Sequence, residues 1–381
     1  MNLFPPQTPG LFSLLLIVCL SLPAQSQIQP APIDANAHER VKALYENLHA
    51  GIGTGIFFGH QDALAYGVQW KTGHNRSDIK DVCGAYPAVF GWDVSKLGQR
   101  PFNIDTVDFE QMREWIAFAY KQGGINTISW HMDNPATGGD SWDNRPAVKA
   151  ILPGGEKHDF YREKLDLFAA FVGSLKAGGQ PIPIIFRPFH EHTGGWFWWG
   201  NKSCTPEEYK ALWHFTVQYL RDEKEVHNLL YAYSTDVFDS EAAYLERYPG
   251  DEYIDILGFD DYHSIKTGAN AAVLTRRCRE LVRMARERGK IAALTETGVE
   301  TIPDSNWWTG VLLKRLKADP EASRIAYIMV WRNARLNHHY GPFAGHASAA
   351  DFQAFYRDPL TLFAGDRKRL YKTRKNPNLP E

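Results

Sequence analysis

Eight short apolar runs punctuate the chain and alternate with stretches of helical period. The runs cover residues 56–60, 88–93, 126–131, 182–191, 229–236, 254–262, 292–297 and 326–332. Several are continuously apolar, the pattern of strands covered on both faces. Between them, Tyr161, Leu165, Phe168, Val172 and Leu175 keep a helical period until Gly178-Gly179 stops it. Thr205-Pro206-Glu207-Glu208 reads as a capping box with proline at the first helical position, ahead of Leu212, Phe215 and Leu220. Residues 270–288 form another helical stretch, ended by Gly289. Eight strands alternating with helices predict an α/β fold, a single (β/α)8 barrel over residues 36–365. A doubly wound open sheet is the alternative. It would carry a Gly-rich phosphate turn after its first strand, whereas Gly51-x-Gly53-x-Gly55 precedes that strand.

The ends of these runs share a second habit. His60-Gln61-Asp62, Trp92-Asp93, Trp130-His131, His190-Glu191-His192, Asp260-Asp261-Tyr262, Glu296 and Trp331-Arg332 gather polar and aromatic residues at the C-terminal ends of seven runs. Barrel active sites lie at that face. Glu191 ends the fourth run and Glu296 the seventh, so a barrel brings them to one rim. A carboxylate at a buried strand end is costly unless something uses it or pairs it. Two carboxyl groups flanking one bond are the usual requirement of glycoside hydrolysis. A structural ion pair would explain either glutamate alone, but explains the pair less well. His190-Glu191-His192 invites a zinc reading. That pattern needs a second histidine four residues after the first, and Gly194 stands there, so no metal is expected. Trp196-Phe197-Trp198-Trp199 cannot all face one core. At least one ring is expected to line the cleft, where it could stack on a sugar face, while others pack as a plug.

Composition narrows the partners. A formal net charge of -2 argues against nucleic acid or an anionic membrane as the main partner. Residues 11–22 are apolar but too short to span a bilayer, and Ala24-Gln25-Ser26 follows as a small-x-small cleavage site. Residues 1–26 therefore read as a signal peptide, and the protein as secreted or periplasmic. The segment lacks the usual basic n-region, which leaves an uncleaved anchor as the alternative; Val18 before Cys19 weakens a lipoprotein reading. Residues 27–35 form a polar lead-in. Residues 366–381 form a basic tail, read as a solvated extension. Cys278 lies on an apolar stripe with Leu274, Leu281 and Ala285 and reads as a buried thiol. That leaves Cys83 and Cys204 as the possible disulfide pair.

The segment FRPFHEHTGGWFWWG, together with SWHMDNP, GFDDYH and LTETG, resembles glycoside hydrolase family 26, the β-mannanase family. The likeness runs from FFGHQDALAYG near residue 57 to VWRNA near residue 330. It implies that Glu191 is the acid/base and Glu296 the nucleophile of a retaining β-1,4-mannanase. It also implies that His190 lies beside the sugar near its 2-hydroxyl, and that Tyr262 holds Glu296. His131 and Trp196 would line sugar subsites, Trp331 would form the hydrophobic floor, and Asp260 would bind sugar hydroxyls. Arg187 would neutralise the barrel rim. Glu191 should have a raised pKa, Glu296 should stay ionised, and the carboxyl groups should stand about 5–5.5 Å apart.

The expected substrate is β-mannan or its oligosaccharides, without a cofactor, and the expected state is a monomer. An exo-acting mannobiohydrolase is a close alternative, with residues 133–155 and 333–349 as loops able to block one end of a cleft. A glucanase or xylanase on the same scaffold is another, because family likeness does not fix the sugar. A noncatalytic sugar-binding protein is the reading from a different class; the presence of both carboxylates weighs against it.

Overall fold

The computed structural model describes residues 1–4, 30–71 and 73–372. Eight parallel strands pair in chain order: β1 (Ile56–Gln61), β2 (Val89–Asp93), β3 (Ile125–Ser129), β4 (Ile184–Arg187), β5 (Leu229–Thr235), β6 (Ile256–Asp261), β7 (Ile291–Thr297) and β8 (Tyr327–Val330). β8 returns to β1 in the register Phe57↔Tyr327 through His60↔Val330, which closes the sheet into a barrel. The fold is the expected TIM barrel. A short strand, Thr361–Leu362, adds beside β1.

Alternation along the strands divides the core in two. Inward residues at the N-terminal ends, among them Phe57, Val89, Ile125, Ile185, Ile256 and Tyr327, form one cluster with Val41, Leu44, Tyr45 and Leu48 of the helix Glu39–Gly51. That helix therefore plugs the lower mouth of the barrel. Outward residues such as Phe58, Phe90, Ile184, Phe259 and Leu294 pack against the surrounding helices in a second, larger cluster. The helix Pro206–Gln218 starts with the capping box read from the sequence: Thr205 and Glu208 each accept from the other's backbone N–H.

Two local readings change. The helix before Gly178-Gly179 spans His158–Ser174, and the glycine pair instead turns a small antiparallel hairpin, Lys176–Ala177 with Gln180–Pro181. Their φ angles of 59° and 78° fit the left-handed turn that joins such strands. The fourth run was read as extended to Glu191, but β4 stops at Arg187. Pro188 has no N–H to offer a ladder, and Phe189 and Glu191 both sit at positive φ, 50° and 52°. Glu191 thus stands in a turn above the strand.

Cys83, Cys204 and Cys278 are all free, so the possible Cys83–Cys204 bridge is not made; the Cys204 thiol lies 3.4 Å from Arg247 Nη1. Cys278 is fully buried, as read. The start of the basic tail is docked rather than solvated: Asn47 Nδ2 donates to the carbonyls of Arg369 and Leu370, and Tyr371 Oη donates to Gly124 at 2.6 Å. Beyond its first four residues, the expected signal segment lies outside the described residues, as do residues 373–381.

Candidate active site

The upper mouth of the barrel opens into a cleft of about 320 Å³ that contains both glutamates. A larger hollow, about 500 Å³, lies at the opposite end beside Asn47 and Arg367; no acidic residue lines it, so the carboxylate chemistry belongs to the upper cleft.

Glu296 owes its position to a break in register. Phe259 pairs with Leu294 but Asp260 pairs with Glu296, so β7 carries one extra residue, Thr295. Regular alternation would send Thr295 and Glu296 to opposite faces. The bulge lets both reach inward. Thr295 Oγ1 donates to Asp260 Oδ1 at 2.6 Å, while Glu296 meets Arg187 and Tyr262. Arg187 Nη2 donates to Glu296 Oε1, and Tyr262 Oη donates to Glu296 Oε2 at 2.9 Å. Burial and the Glu296 carboxylate push the Tyr262 phenol well above its ordinary range, so it remains a donor.

Glu191 is fixed by its backbone. Its N–H donates to Ser234 O at 3.0 Å, and the turn before it is held by Tyr209 Oη on Phe189 O and Trp199 Nε1 on His190 O. Its left-handed φ is strain that these bonds sustain. Trp196 Nε1 donates to Glu191 Oε2 at 2.8 Å. Burial, then the carboxylates of Asp260, Glu296 and Asp236, raise the Glu191 pKa well above the usual carboxyl range; the Trp196 bond opposes this. An oxygen each of Glu191, Asp260 and Glu296 lies within 4.8 Å of the others. Such a cluster resembles a cation site, but Arg187 already donates to two of its members, with 3.0 Å from Nη1 to Asp260 Oδ2.

Asp260 departs from the sugar-binding expectation. It is fully buried beneath the cleft, and its oxygens accept from Arg187, Thr295 and, at 3.0 Å, Ser234. It is not among the residues lining the cleft. Asp260 instead anchors Arg187 behind Glu296. Burial and the Glu296 carboxylate, offset by Arg187, leave its pKa pushed up to about 7.

The remaining expected residues line the cleft. Trp196 and Trp331 are half-buried there, and His131 and His190 meet edge to face at 4.6 Å. Burial, with Arg187 and His131 nearby, pulls the His190 pKa well down, so it is neutral. Of the aromatic run, Trp196 and Phe197 face the cleft while Trp198 and Trp199 are fully buried, so both readings of it hold for different members. The sequence did not single out Trp142, which stacks on His131 at 5.4 Å, nor Lys266, Glu300 and Tyr340, which also line the cleft. Trp142 comes from one of the two loops named as able to close the cleft, and His338 and Tyr340 come from the other.

A family model described as Glycosyl hydrolase family 26 matches residues 33–335. The chain belongs to that family. As a glycoside hydrolase of family 26, it is 34% identical over 356 residues to a mannan endo-1,4-beta-mannosidase of Bifidobacterium adolescentis, covering 87% of this chain but 35% of that protein. A second relative of the same description, from Caldalkalibacillus mannanilyticus, is 29% identical and half covered. The chain thus spans about a third to a half of the length of these relatives. Among solved structures, a GH26 beta-mannanase from Bacteroides ovatus superposes with a TM-score of 0.84 at 44% identity, covering 88% of this chain and 98% of that one. An endo-beta-1,4-mannanase from Cellulomonas fimi superposes with a TM-score of 0.83 at 39% identity, covering 90% and 79%.

Proposed function

We propose that this family 26 hydrolase is a retaining endo-β-1,4-mannanase. The observation that carries the mechanism is the approach of Glu191 and Glu296 oxygens to within 4.8 Å. Inverting enzymes need about 6.5–9.5 Å between carboxyl groups to admit a water, whereas retaining enzymes need about 5–5.5 Å. The environments also divide the roles. Glu191, held protonated by burial and neighbouring carboxylates, gives its proton to the departing glycosidic oxygen. Glu296, held by Arg187 and Tyr262, attacks the anomeric carbon as that bond breaks. Once Glu296 is an ester its charge is gone, Glu191 ionises more readily, and it takes a proton from water attacking the same carbon. The product keeps the β configuration.

Mannan as substrate rests on the printed descriptions of the relatives and on a cleft walled by Trp142, Trp196 and Trp331, rings suited to sugar faces. The apolar segment at residues 11–22, followed by Ala24-Gln25-Ser26, supports export to the periplasm or beyond. The test is a time course of products from linear mannan and mannohexaose, with Glu191→Ala and Glu296→Ala as controls and proton NMR of the first anomer released. Mixed oligosaccharides from the start, first formed as β anomers, are expected. Mannobiose alone would mean exo action, α anomers would overturn retention, and cleavage of glucan or xylan in place of mannan would overturn the substrate.

A further inference from the structure

His131 is held by an acid that does not itself line the cleft. Asp93, the last residue of β2, is fully buried, and its carboxylate accepts every donor around it. Oδ1 takes the Ser95 N–H at 2.8 Å. Oδ2 takes the Ser129 hydroxyl at 3.0 Å, the His131 N–H at 3.1 Å and His131 Nδ1 at 2.8 Å. Nδ1 is thereby fixed as the protonated nitrogen, because an ionised carboxylate can only accept. His131 lines the cleft, so the nitrogen left for a bound sugar is Nε2. The ring cannot swing away. Trp142 stacks on one face, and His190 and Phe197 meet it at 4.6 and 5.4 Å.

We propose that Asp93 is a positioning residue for the hydrolytic site: it clamps His131 so that Nε2, in fixed direction, meets a hydroxyl of the sugar being cleaved. The proposal rests on the reading of this cleft as a glycan-cleaving site. The charged and titratable groups facing His131 are Asp93 at the end of β2, Asp105 in the loop after it, Glu296 at the end of β7 and the neutral His190 beyond β4. Burial opposes protonation of His131, but Asp93 first, then Glu296 and Asp105, outweigh it and raise its pKa above the ordinary imidazole value. Burial likewise opposes the Asp93 charge, and His131 with the Ser95 bonds overcomes it, leaving that carboxyl below its usual range. Each group therefore favours the charged form of the other. A ring already aimed at its hydroxyl holds the sugar in place and needs no reorganisation at the moment of reaction.

The test joins a spectrum and a double-mutant cycle. In the unmodified protein, ¹⁵N NMR of the imidazoles without substrate should show His131 titrating above the ordinary histidine value, with Nδ1 keeping its proton when the ring is neutral. A neutral ring protonated at Nε2 would overturn the proposal, and this readout stands whatever polysaccharide the enzyme cleaves. Asp93→Asn should lower the His131 pKa in the same spectrum and reduce kcat/KM about 10–100-fold, the range for a hydrogen bond to a charged group. Most of the loss should fall on kcat. In a His131→Gln background the same substitution should change kcat/KM less than about twofold, since its effect runs through the imidazole. Losses that multiply in the double variant, or an unmoved His131 titration with an intact fold, would show a merely structural role and overturn it.

Discussion

Trp196→Phe removes a contact that works against protonation of Glu191. The indole N–H donates to Glu191 Oε2 at 2.8 Å and favours the ionised form, while burial and the carboxylates of Asp260, Glu296 and Asp236 favour the neutral form. Phenylalanine keeps an aromatic face in the cleft and deletes the donor. A hydrogen bond to a charged group contributes about 1.5–3 kcal/mol. Both residues are partly open to the cleft, so the low end applies, and about 1.4 kcal/mol corresponds to one pH unit. The acid/base pKa should therefore rise by about one unit. In the proposed double displacement, the first step requires protonated Glu191 and loses rate as pH climbs through that pKa. The alkaline limb of kcat/KM on mannopentaose should accordingly move about one unit higher. The second step requires ionised Glu191, so at fixed neutral pH the glycosyl-enzyme should accumulate, visible by mass spectrometry of quenched enzyme. The position of the limb does not depend on substrate affinity, so loss of sugar contact to Trp196 cannot imitate the shift. A limb that stays in place or moves to lower pH would refute the assignment of Glu191 as the group whose proton starts the reaction.

Other perturbations follow from buried charge. Arg187→Ala would leave Asp260 and Glu296 facing each other without a cation, and should cost about 3–5 kcal/mol in chemical denaturation; a loss below about 1 kcal/mol would show that the two acids share a proton instead. Asp62 is pushed up to about 8 by burial and by Asp105, while Tyr66 Oη donates to it at 2.5 Å. A carboxyl raised in the folded state gives stability that is present below its unfolded pKa, about 3.9, and is lost as pH rises through the folded one. Wild-type Tm should fall between about pH 4 and 8 by more than that of Asp62→Asn, and parallel Tm curves would discard this account.

The barrel was legible because its period is coarse. Each of the eight apolar runs became a strand, and the glutamates surfaced because strand ends in a barrel share one face. What escaped depends on single-residue detail. One extra residue, Thr295, turns Glu296 inward, and a bulge leaves no trace in an apolar run. Asp260 lies one register inside the rim, so its partners are Arg187, Ser234 and Thr295. The Asp93–His131 contact joins the end of β2 to the segment just past β3, 38 residues on, and no local pattern announces it. Trp142 reaches the cleft from a long loop, whose path is set by bonds such as Asn144 Nδ2 to Gly195 O.

The shared guanidinium has a consequence for how the protein reaches its working state. Arg187 on β4 grips Asp260 on β6 and Glu296 on β7, residues 73 and 109 positions away. Contacts that distant in sequence form late, after the loop-closure entropy of the intervening chain has been overcome. Helices and partial sheets can acquire their spectroscopic signals before those strands are side by side, but Glu296 has no oriented carboxylate until they are. In refolding from denaturant, hydrolysis should recover last, making catalysis itself a reporter of barrel closure that circular dichroism cannot replace.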